Sequence, residues 1–287
     1  MIETPIIWNI TNKCPYDCSF CCLDANSPVQ DISLEDKLKI VRNLDSDSIR
    51  IDVSGGEPLI EEENILVMRE LAKKFGRDKV SITSTGKGLV RVNLKELADY
   101  VSEVGFTYDF PFEPSPDRPL GYNQHNLELA REVSKRGIKT MAQMPLTKSN
   151  VSPLSLERIY LNLRGAGIDS LLLIRFSHSG RGDSRKDLCL TQEEINEAVK
   201  FYRKLESDYD SPKIKITPAI KGSLVGKVLT SLNITNNGLL LSNPWSYDAQ
   251  GRPRKEYVLG DLTQEKLSDL AGAKVYQRFL TQLRRNI

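Results

Sequence analysis

The sequence predicts an α/β chain: six strand–helix repeats followed by a small α+β extension. Three observations carry the prediction. Short runs rich in β-branched residues alternate with longer segments of helical periodicity. Several helical segments end on glycine, where a left-handed C-cap is expected: Gly105, Gly137 and Gly167. After about residue 210 the alternation gives way to short strands around turn residues. Strands connected through helices run parallel with right-handed crossovers. Six such units fit either a partial barrel or a doubly wound sheet, since a closed barrel takes about eight.

The strands are expected at "IIWNIT" (6–11), "SIRIDVS" (48–54), "KVSITST" (79–85), "GFTYDFPF" (105–112), "KTMAQMPL" (139–146) and "SLLLIRFS" (170–177). These runs read as apolar on both faces, as parallel strands covered by helices should be. Helices are expected over Ser33–Asn43, Glu61–Phe75, Leu94–Val104, Asn126–Arg136 and Leu154–Ala166. Thr191 and Glu194 have the spacing of a capping box and start a further helix, to about Glu206. Beyond a boundary near 208–212, "KIKITPAI", "SLNITNNGLLLSN" and "EYVLGDL" read as short strands, with Asn236-Asn237-Gly238 as a hairpin turn. A helix over Gln264–Ala271 and a last one over Lys274–Arg285 close the chain, the basic "QRFLTQLRR" (277–285) being its solvated face.

Composition narrows the function. The chain has 40 basic and 38 acidic residues among 287, a net charge of +2, so no global field calls for nucleic acid or a membrane surface. No window approaches the roughly 18 apolar residues of a spanning helix, and no signal peptide opens the sequence. We therefore expect a cytoplasmic protein. Four of the five cysteines, Cys14, Cys18, Cys21 and Cys22, crowd into "NKCPYDCSFCC", which in a reducing compartment points to metal or redox work rather than a disulfide framework.

Chemistry in strand–helix folds collects in the loops at the C-terminal ends of strands. The cysteines follow the first strand, "GGEP" (55–58) the second and "STGKG" (84–88) the third, so all three fall on one rim. Zinc is awkward here. Adjacent Cys21 and Cys22 do not easily reach one tetrahedral ion, and the nearest histidine in sequence is His125. The C-x3-C-x2-C spacing suits three irons of a [4Fe–4S] cluster and leaves a fourth iron without a protein ligand.

At these residues the chain resembles the radical SAM superfamily. "CPYDCSFC" (14–21) is similar to its CxxxCxΦC signature, with Phe20 before the last cysteine. "SGGEPLI" (54–60) resembles its GGEP motif, "WNITNKC" its first strand, "SITSTGKG" its third, and "SLLLIRFSHSGRG" its sixth strand and following loop. The resemblance runs from about residue 5 to 185. It implies a partial (β/α)6 TIM barrel and two cofactors, one [4Fe–4S] cluster and S-adenosylmethionine. Cys14, Cys18 and Cys21 would ligate the cluster. Gly55, Gly56 and Glu57 would sit against the methionyl amino group, and Phe20 near the adenine. Ser84, Asp109, Gln143 and Arg175, by position on strands 3 to 6, are candidates for the ribose and carboxylate. The implied chemistry is reductive cleavage of the sulfonium to a 5′-deoxyadenosyl radical, which abstracts a substrate hydrogen atom, with the electron from an external carrier such as a flavodoxin or ferredoxin.

The resemblance also divides the chain into a radical SAM core (1–210) and an extension (211–287) similar to the SPASM and twitch appendages of peptide maturases. "LNITNNGLLLSN" (232–243) and "LGDLTQEKLSDL" (259–270) keep that scaffold, but no cysteine follows Cys189. One cluster per chain is therefore expected. Cys22 reads as structural. Cys189, in the loop after strand 6, is read either as a half-buried thiol or as a hydrogen-atom donor; His178 is read as a packing residue or a substrate-side acid or base, with Asp183 near the same rim. The long loops "EPSPDRPLGYNQH" (113–125) and "SHSGRGDSRKDLC" (177–189) would shape specificity. The expected substrate is a ribosomally made precursor peptide, to be epimerised, crosslinked or excised. With strand 1 starting around residue 6, a separate leader-binding protein is the expected partner. The alternatives are a small-molecule dehydrogenase or epimerase and a non-catalytic metal-binding protein; RNA modification is disfavoured by the near-neutral charge.

Overall fold

A computed structural model of the chain describes residues 3–221, 231–244, 246–271 and 281. The core elements are β1 (Thr4–Thr11), α1 (Leu34–Asn43), β2 (Ile49–Gly55), α2 (Glu62–Phe75), β3 (Val80–Ser84), α3 (Leu94–Tyr100), β4 (Glu103–Thr107), α4 (Tyr122–Ser134), β5 (Lys139–Leu146), α5 (Pro153–Gly165), β6 (Ser170–Arg175) and α6 (Gln192–Tyr209). They are followed by β7 (Lys213–Ile216), β8 (Leu232–Ile234), β9 (Leu239–Leu241), β10 (Val258–Asp261) and α7 (Leu267–Ala271). The helix expected over Lys274–Arg285 lies outside the described residues.

Among the described residues ten strands form one sheet in the order β10-β9-β8-β1-β2-β3-β4-β5-β6-β7. Pairing is parallel from β8 through β7, and antiparallel for β8–β9 and β9–β10. The parallel part curves into the expected partial barrel. The strands on both sides of the 208–212 boundary belong to this sheet: "KIKI" joins β6 as β7, and β8 pairs with β1. The Asn236–Gly238 turn links β8 to β9, with Gly238 at φ +89° as a hairpin glycine requires.

Local sequence explains the element ends. Ser33, Asn93, Ser152 and Thr191 cap α1, α3, α5 and α6 through their side chains, and Thr191 with Glu194 forms the full capping box. Gly137 and Gly167 follow α4 and α5 at φ +73°. Gly105 does not cap α3. That helix stops at Tyr100, and β4 spans Glu103–Thr107 rather than 105–112, with Gly105 inside it. A Cβ there would lie 2.8 Å from Gln143 Nε2 and 2.9 Å from Thr83 Oγ1. The glycine makes room for the hydrogen bond these two groups make across β4.

The expectation of strands apolar on both faces is corrected. Ile6, Trp8, Ile10, Ile49, Ile51, Val53, Val80, Ile82 and Val104 face the helix layer and join one buried core. Phe106, Ala142, Met144, Leu171, Leu173 and Ile214 join a second, with α5 and α6. Alternate residues point the other way, and that face is polar at Asn9, Asp52, Ser54, Ser81, Thr83, Gln143 and Lys215. The reason is geometric: the inner face surrounds a cavity of about 540 Å³ instead of a second helix layer. No described helix is long and apolar enough to cross a membrane.

The two faces should respond differently to truncation. Ile51→Ala, in the helix-facing core, is expected to destabilise by about 2–5 kcal/mol. Leu172→Ala, on the cavity wall, should cost well under half as much in the same denaturant titration; equal losses would contradict this assignment of faces.

Candidate active site

The cavity mouth is built from the loops after β1, β2, β3 and β6 together with the extension; Cys14, Cys18, Cys21 and Cys22 all border it. The cysteine loop is shaped mostly by backbone contacts. Gly56 N donates to Thr11 O at 2.8 Å and Glu57 N to Lys13 O at 2.8 Å. A Cβ on Gly55 would collide with the Thr11 carbonyl, and one on Gly56 with the Lys13 carbonyl. Gly55 also sits at φ +128°. These glycines are thus required by the cysteine loop itself, a reason beyond the close cofactor approach read from the sequence. Asn26, in the left-handed region at φ +69°, accepts from Cys14 N and donates to Cys14 O, both at 2.9 Å.

A second grip comes from the loop after β6. Arg181 Nε donates to Cys18 O at 3.0 Å, and Nη1 to Ala25 O and Asp24 Oδ1 at 2.8 and 3.0 Å. Arg181 N donates to Cys21 O, and Ser179 Oγ to Cys22 O. At Gly180 a Cβ would come within 2.6 Å of the Cys21 and Cys22 carbonyl oxygens. The extension adds a third contact, since a Cβ on Gly251 would strike the Leu23 carbonyl at 2.5 Å. A buried network ties that segment to β1: Asn9 Nδ2 donates to Tyr247 OH at 2.9 Å, and Tyr247 OH donates to Asn233 Oδ1 at 2.5 Å.

The remaining candidates fall into distinct places. Glu57 is fully buried and lies outside the cavity lining. Its carboxylate accepts from Ser84 Oγ, Thr85 N, Thr85 Oγ1 and Leu59 N at 2.5–3.1 Å, locking the β2 loop to the β3 loop. Burial raises its pKa against these bonds. Ser84, Gln143 and Arg175 line the cavity; Arg175 Nη1 donates to Gln192 Oε1 at 2.6 Å. Asp109 is buried outside the lining, where its Oδ2 accepts from Arg118 Nη2 at 2.7 Å. Phe20 lines the cavity, edge-on to Phe176 at 5.9 Å. The Arg118 guanidinium lies over Phe20 at 4.3 Å and over Tyr122 at 4.9 Å.

Cys189 Sγ and His178 Nε2 meet at 3.1 Å. Neither lines the cavity, and Cys189 packs against the Phe20, Phe176 and Leu188 cluster. Cys189 thus lies one side chain away from the cavity, behind Phe20 and Phe176, which line it. Sequence reading missed Arg118, Arg181 and Gly180. Only the "GRG" after strand 6 signalled two of them, because their partners are more than 150 residues away.

The donor set fits an iron–sulfur cluster. Burial pushes the Cys14 thiol up to about 12 and raises Cys18, the latter opposed by Arg118. Such thiols stay protonated until a metal displaces the proton. Among the described residues no three His, Cys, Asp or Glu side chains group closely enough to hold a single metal ion. Ala25 N donates to Cys21 Sγ at 3.4 Å, the kind of sulfur contact that tunes a cluster. Ser177 Oγ, buried on the cavity wall, has no partner among the described residues and can receive a polar ligand group. Removing the Arg181 clamp should loosen the loop by about 1.5–3 kcal/mol, the worth of charged hydrogen bonds. Reconstituted Arg181→Ala is therefore expected to lose cluster absorbance to a chelator at least about tenfold faster than wild type; an unchanged rate would remove Arg181 from this role.

Residues 8–153 match the radical SAM superfamily. Pre-heme d1 synthase of Dinoroseobacter shibae is 23% identical over 192 residues, 63% of this chain and 45% of that protein. GTP 3′,8-cyclase of a Synechococcus strain is 28% identical over 81 residues, 27% of this chain and 24% of its own length. The chain thus spans less than half of either curated relative. Among solved structures, SuiB of Streptococcus suis bound to the precursor peptide SuiA superimposes with a TM-score of 0.74 at 14% identity, over 96% of this chain and 66% of SuiB. Native anSMEcpe with bound AdoMet gives 0.68 at 12% identity, over 96% of this chain and 82% of that one. On the family match and the shared fold, this chain belongs to the radical SAM superfamily, and its cofactors are a [4Fe–4S] cluster and S-adenosylmethionine.

Proposed function

We propose that the chain modifies a ribosomally made peptide, with residues 1–210 as catalytic core and 211–287 as a SPASM- or twitch-like extension that helps form the substrate cavity. The observation carrying this reading is that the fold likeness to SuiB, solved with its precursor peptide, covers 96% of the chain and so includes the extension. Ser231, Asn233, Asn243 and Pro244 of that extension line the same cavity as the cysteines.

Cys14, Cys18 and Cys21 would hold the cluster, their loop fixed by Gly55, Gly56, Asn26, Gly180 and Arg181. When bound, the cluster and S-adenosylmethionine supply the one-electron chemistry that removes a hydrogen atom from an unactivated carbon. The chain's own residues bind, aim and exclude. Phe20 and Arg118 offer a flat surface to an adenine-sized ring. Ser84, Gln143, Arg175 and Ser177 provide polar contacts to ribose and carboxylate groups. Glu57 acts as a positioning residue, coupling the β2 and β3 loops. Asp109 orients Arg118. We assign Cys189 to packing behind Phe176 and the exposed His178 to covering that thiol. A flavodoxin- or ferredoxin-type protein would supply the electron, and a separate protein would capture the leader.

A second reading, a small-molecule substrate, is supported by the names of the two curated relatives. One anaerobic experiment addresses both. Reconstituted protein with S-adenosylmethionine and dithionite should form 5′-deoxyadenosine, and Cys18→Ala should form none. Adding a short candidate precursor peptide, should one be encoded beside the chain's gene, is expected to raise that yield and change the peptide's mass. An unaltered peptide with an unaffected yield would sink the peptide reading and favour the small-molecule one.

A further inference from the structure

The inner wall below the cysteine rim carries a hydrogen-bonded belt. Gln143 Nε2 donates to Thr83 Oγ1 at 3.0 Å, Thr83 Oγ1 to Asp52 Oδ2 at 2.8 Å, and Ser81 Oγ to Asp52 Oδ1 at 2.9 Å. All four side chains line the cavity. Asp52 stands three residues before Gly55 on β2, roughly 10 Å below the rim at about 3.3 Å per residue. It pairs in register with Ile7 and Ser81. The belt is thus deep in the barrel, away from the cysteines.

Three features make Asp52 unusual. A carboxylate has about four acceptor positions, and the two hydroxyls fill only part of them. No lysine or arginine forms an ion pair with it among the described residues. Arg50 and Lys215 also line the cavity but pair with Glu103, at 4.0 and 3.7 Å; Arg50 and Glu103 act on Asp52 through space only, with opposite signs. Finally, burial pushes its pKa up to about 6 despite the Thr83 and Ser81 bonds. A structural belt needs no charge here: asparagine would fill the same space and bond both hydroxyls. Asp52 is half-buried and faces the cavity without an ion-pair partner among the described residues, so a cation entering the cavity gains by pairing with it. The neighbouring wall, Ile7, Met141, Leu172 and Ile174, is apolar and suits the methylene stem that leads to a charged tip.

We propose that Asp52, oriented by Ser81 and Thr83, is a substrate-binding carboxylate that receives an ammonium or guanidinium group at the end of an aliphatic chain. The proposal deepens the reading above and rests on it only in placing the substrate in this cavity; for a peptide, the recognised unit is a lysine- or arginine-like side chain. S-adenosylmethionine also carries an ammonium, so the test separates the two sources.

The test uses the reconstituted holoenzyme with S-adenosylmethionine bound, and titrates N-acetyl-lysine methylamide, N-acetyl-arginine methylamide and the uncharged N-acetyl-norleucine methylamide by ligand-detected NMR. Wild type is expected to prefer the cationic probes over norleucine by at least about tenfold, equivalent to 1.4 kcal/mol. Asp52→Asn should abolish that preference and keep the affinity for S-adenosylmethionine. Equal binding of all three probes by wild type, or a preserved preference in Asp52→Asn, overturns the proposal. Loss of S-adenosylmethionine affinity in Asp52→Asn also overturns it, by giving Asp52 to the cofactor. Should Asp52→Asn not fold, Ser81→Ala removes one orienting donor and must weaken the preference; an unchanged preference overturns the proposal equally. No turnover is involved, so failure here leaves the peptide reading standing, and failure of peptide turnover leaves this result standing.

Discussion

Backbone-to-backbone contact around the cysteine loop is the constraint on which the rest of this structure depends. Thr11 and Lys13 carbonyls press on Gly55 and Gly56, the Cys21 and Cys22 carbonyls on Gly180, and the Leu23 carbonyl on Gly251. These contacts come from β2, from the loop after β6 and from the extension. Each leaves no room for a side chain. The loop between β1 and α1 is thereby positioned by three distant parts of the chain before any ligand arrives. A site that must hold a cluster in one orientation benefits from support that side-chain motion does not erode.

The sheet divides its labour between faces. Its helix side supplies stability through two cores centred on Trp8 and Tyr160. Its inner side gives up apolar burial for a polar wall, with Gly105 leaving the gap through which Gln143 reaches Thr83. The extension continues this division. Leu232 and Ile234 add to the core, while Asn233 between them faces Asn9 and the cavity. Through β8, which pairs parallel with β1, the extension is structurally part of the barrel wall.

Much of this was legible in the sequence, and the limits have physical causes. Strand–helix alternation and caps depend on near neighbours, so the elements, the Thr191 capping box and the Asn236–Gly238 hairpin were readable. The cysteine spacing and GGEP were readable because one loop carries each. Face polarity was not: "IRIDVS" and "SITS" look strand-like either way, and only the curvature of the sheet around the cavity reveals that Asp52 and Thr83 point inward. Gly105 was misread because a glycine near a helix end has the same local appearance as one inside a strand. Arg118 and Arg181 were missed because the groups that place them at the site, the Phe20 ring and the Cys18 carbonyl, are brought to them by tertiary folding. The meeting of Cys189 with His178 was equally hidden, because it depends on how the loop after β6 folds back on itself.

The most direct test of the account concerns the glycine contacts. Gly180→Ala adds one methyl group at the junction between the β6 loop and the cysteines. After anaerobic reconstitution, iron per chain and far-ultraviolet circular dichroism are measured side by side. The account predicts native secondary structure with a large deficit of bound iron, because the barrel does not need this contact and the cysteine loop does. A full iron complement, held as firmly as in wild type, would contradict it.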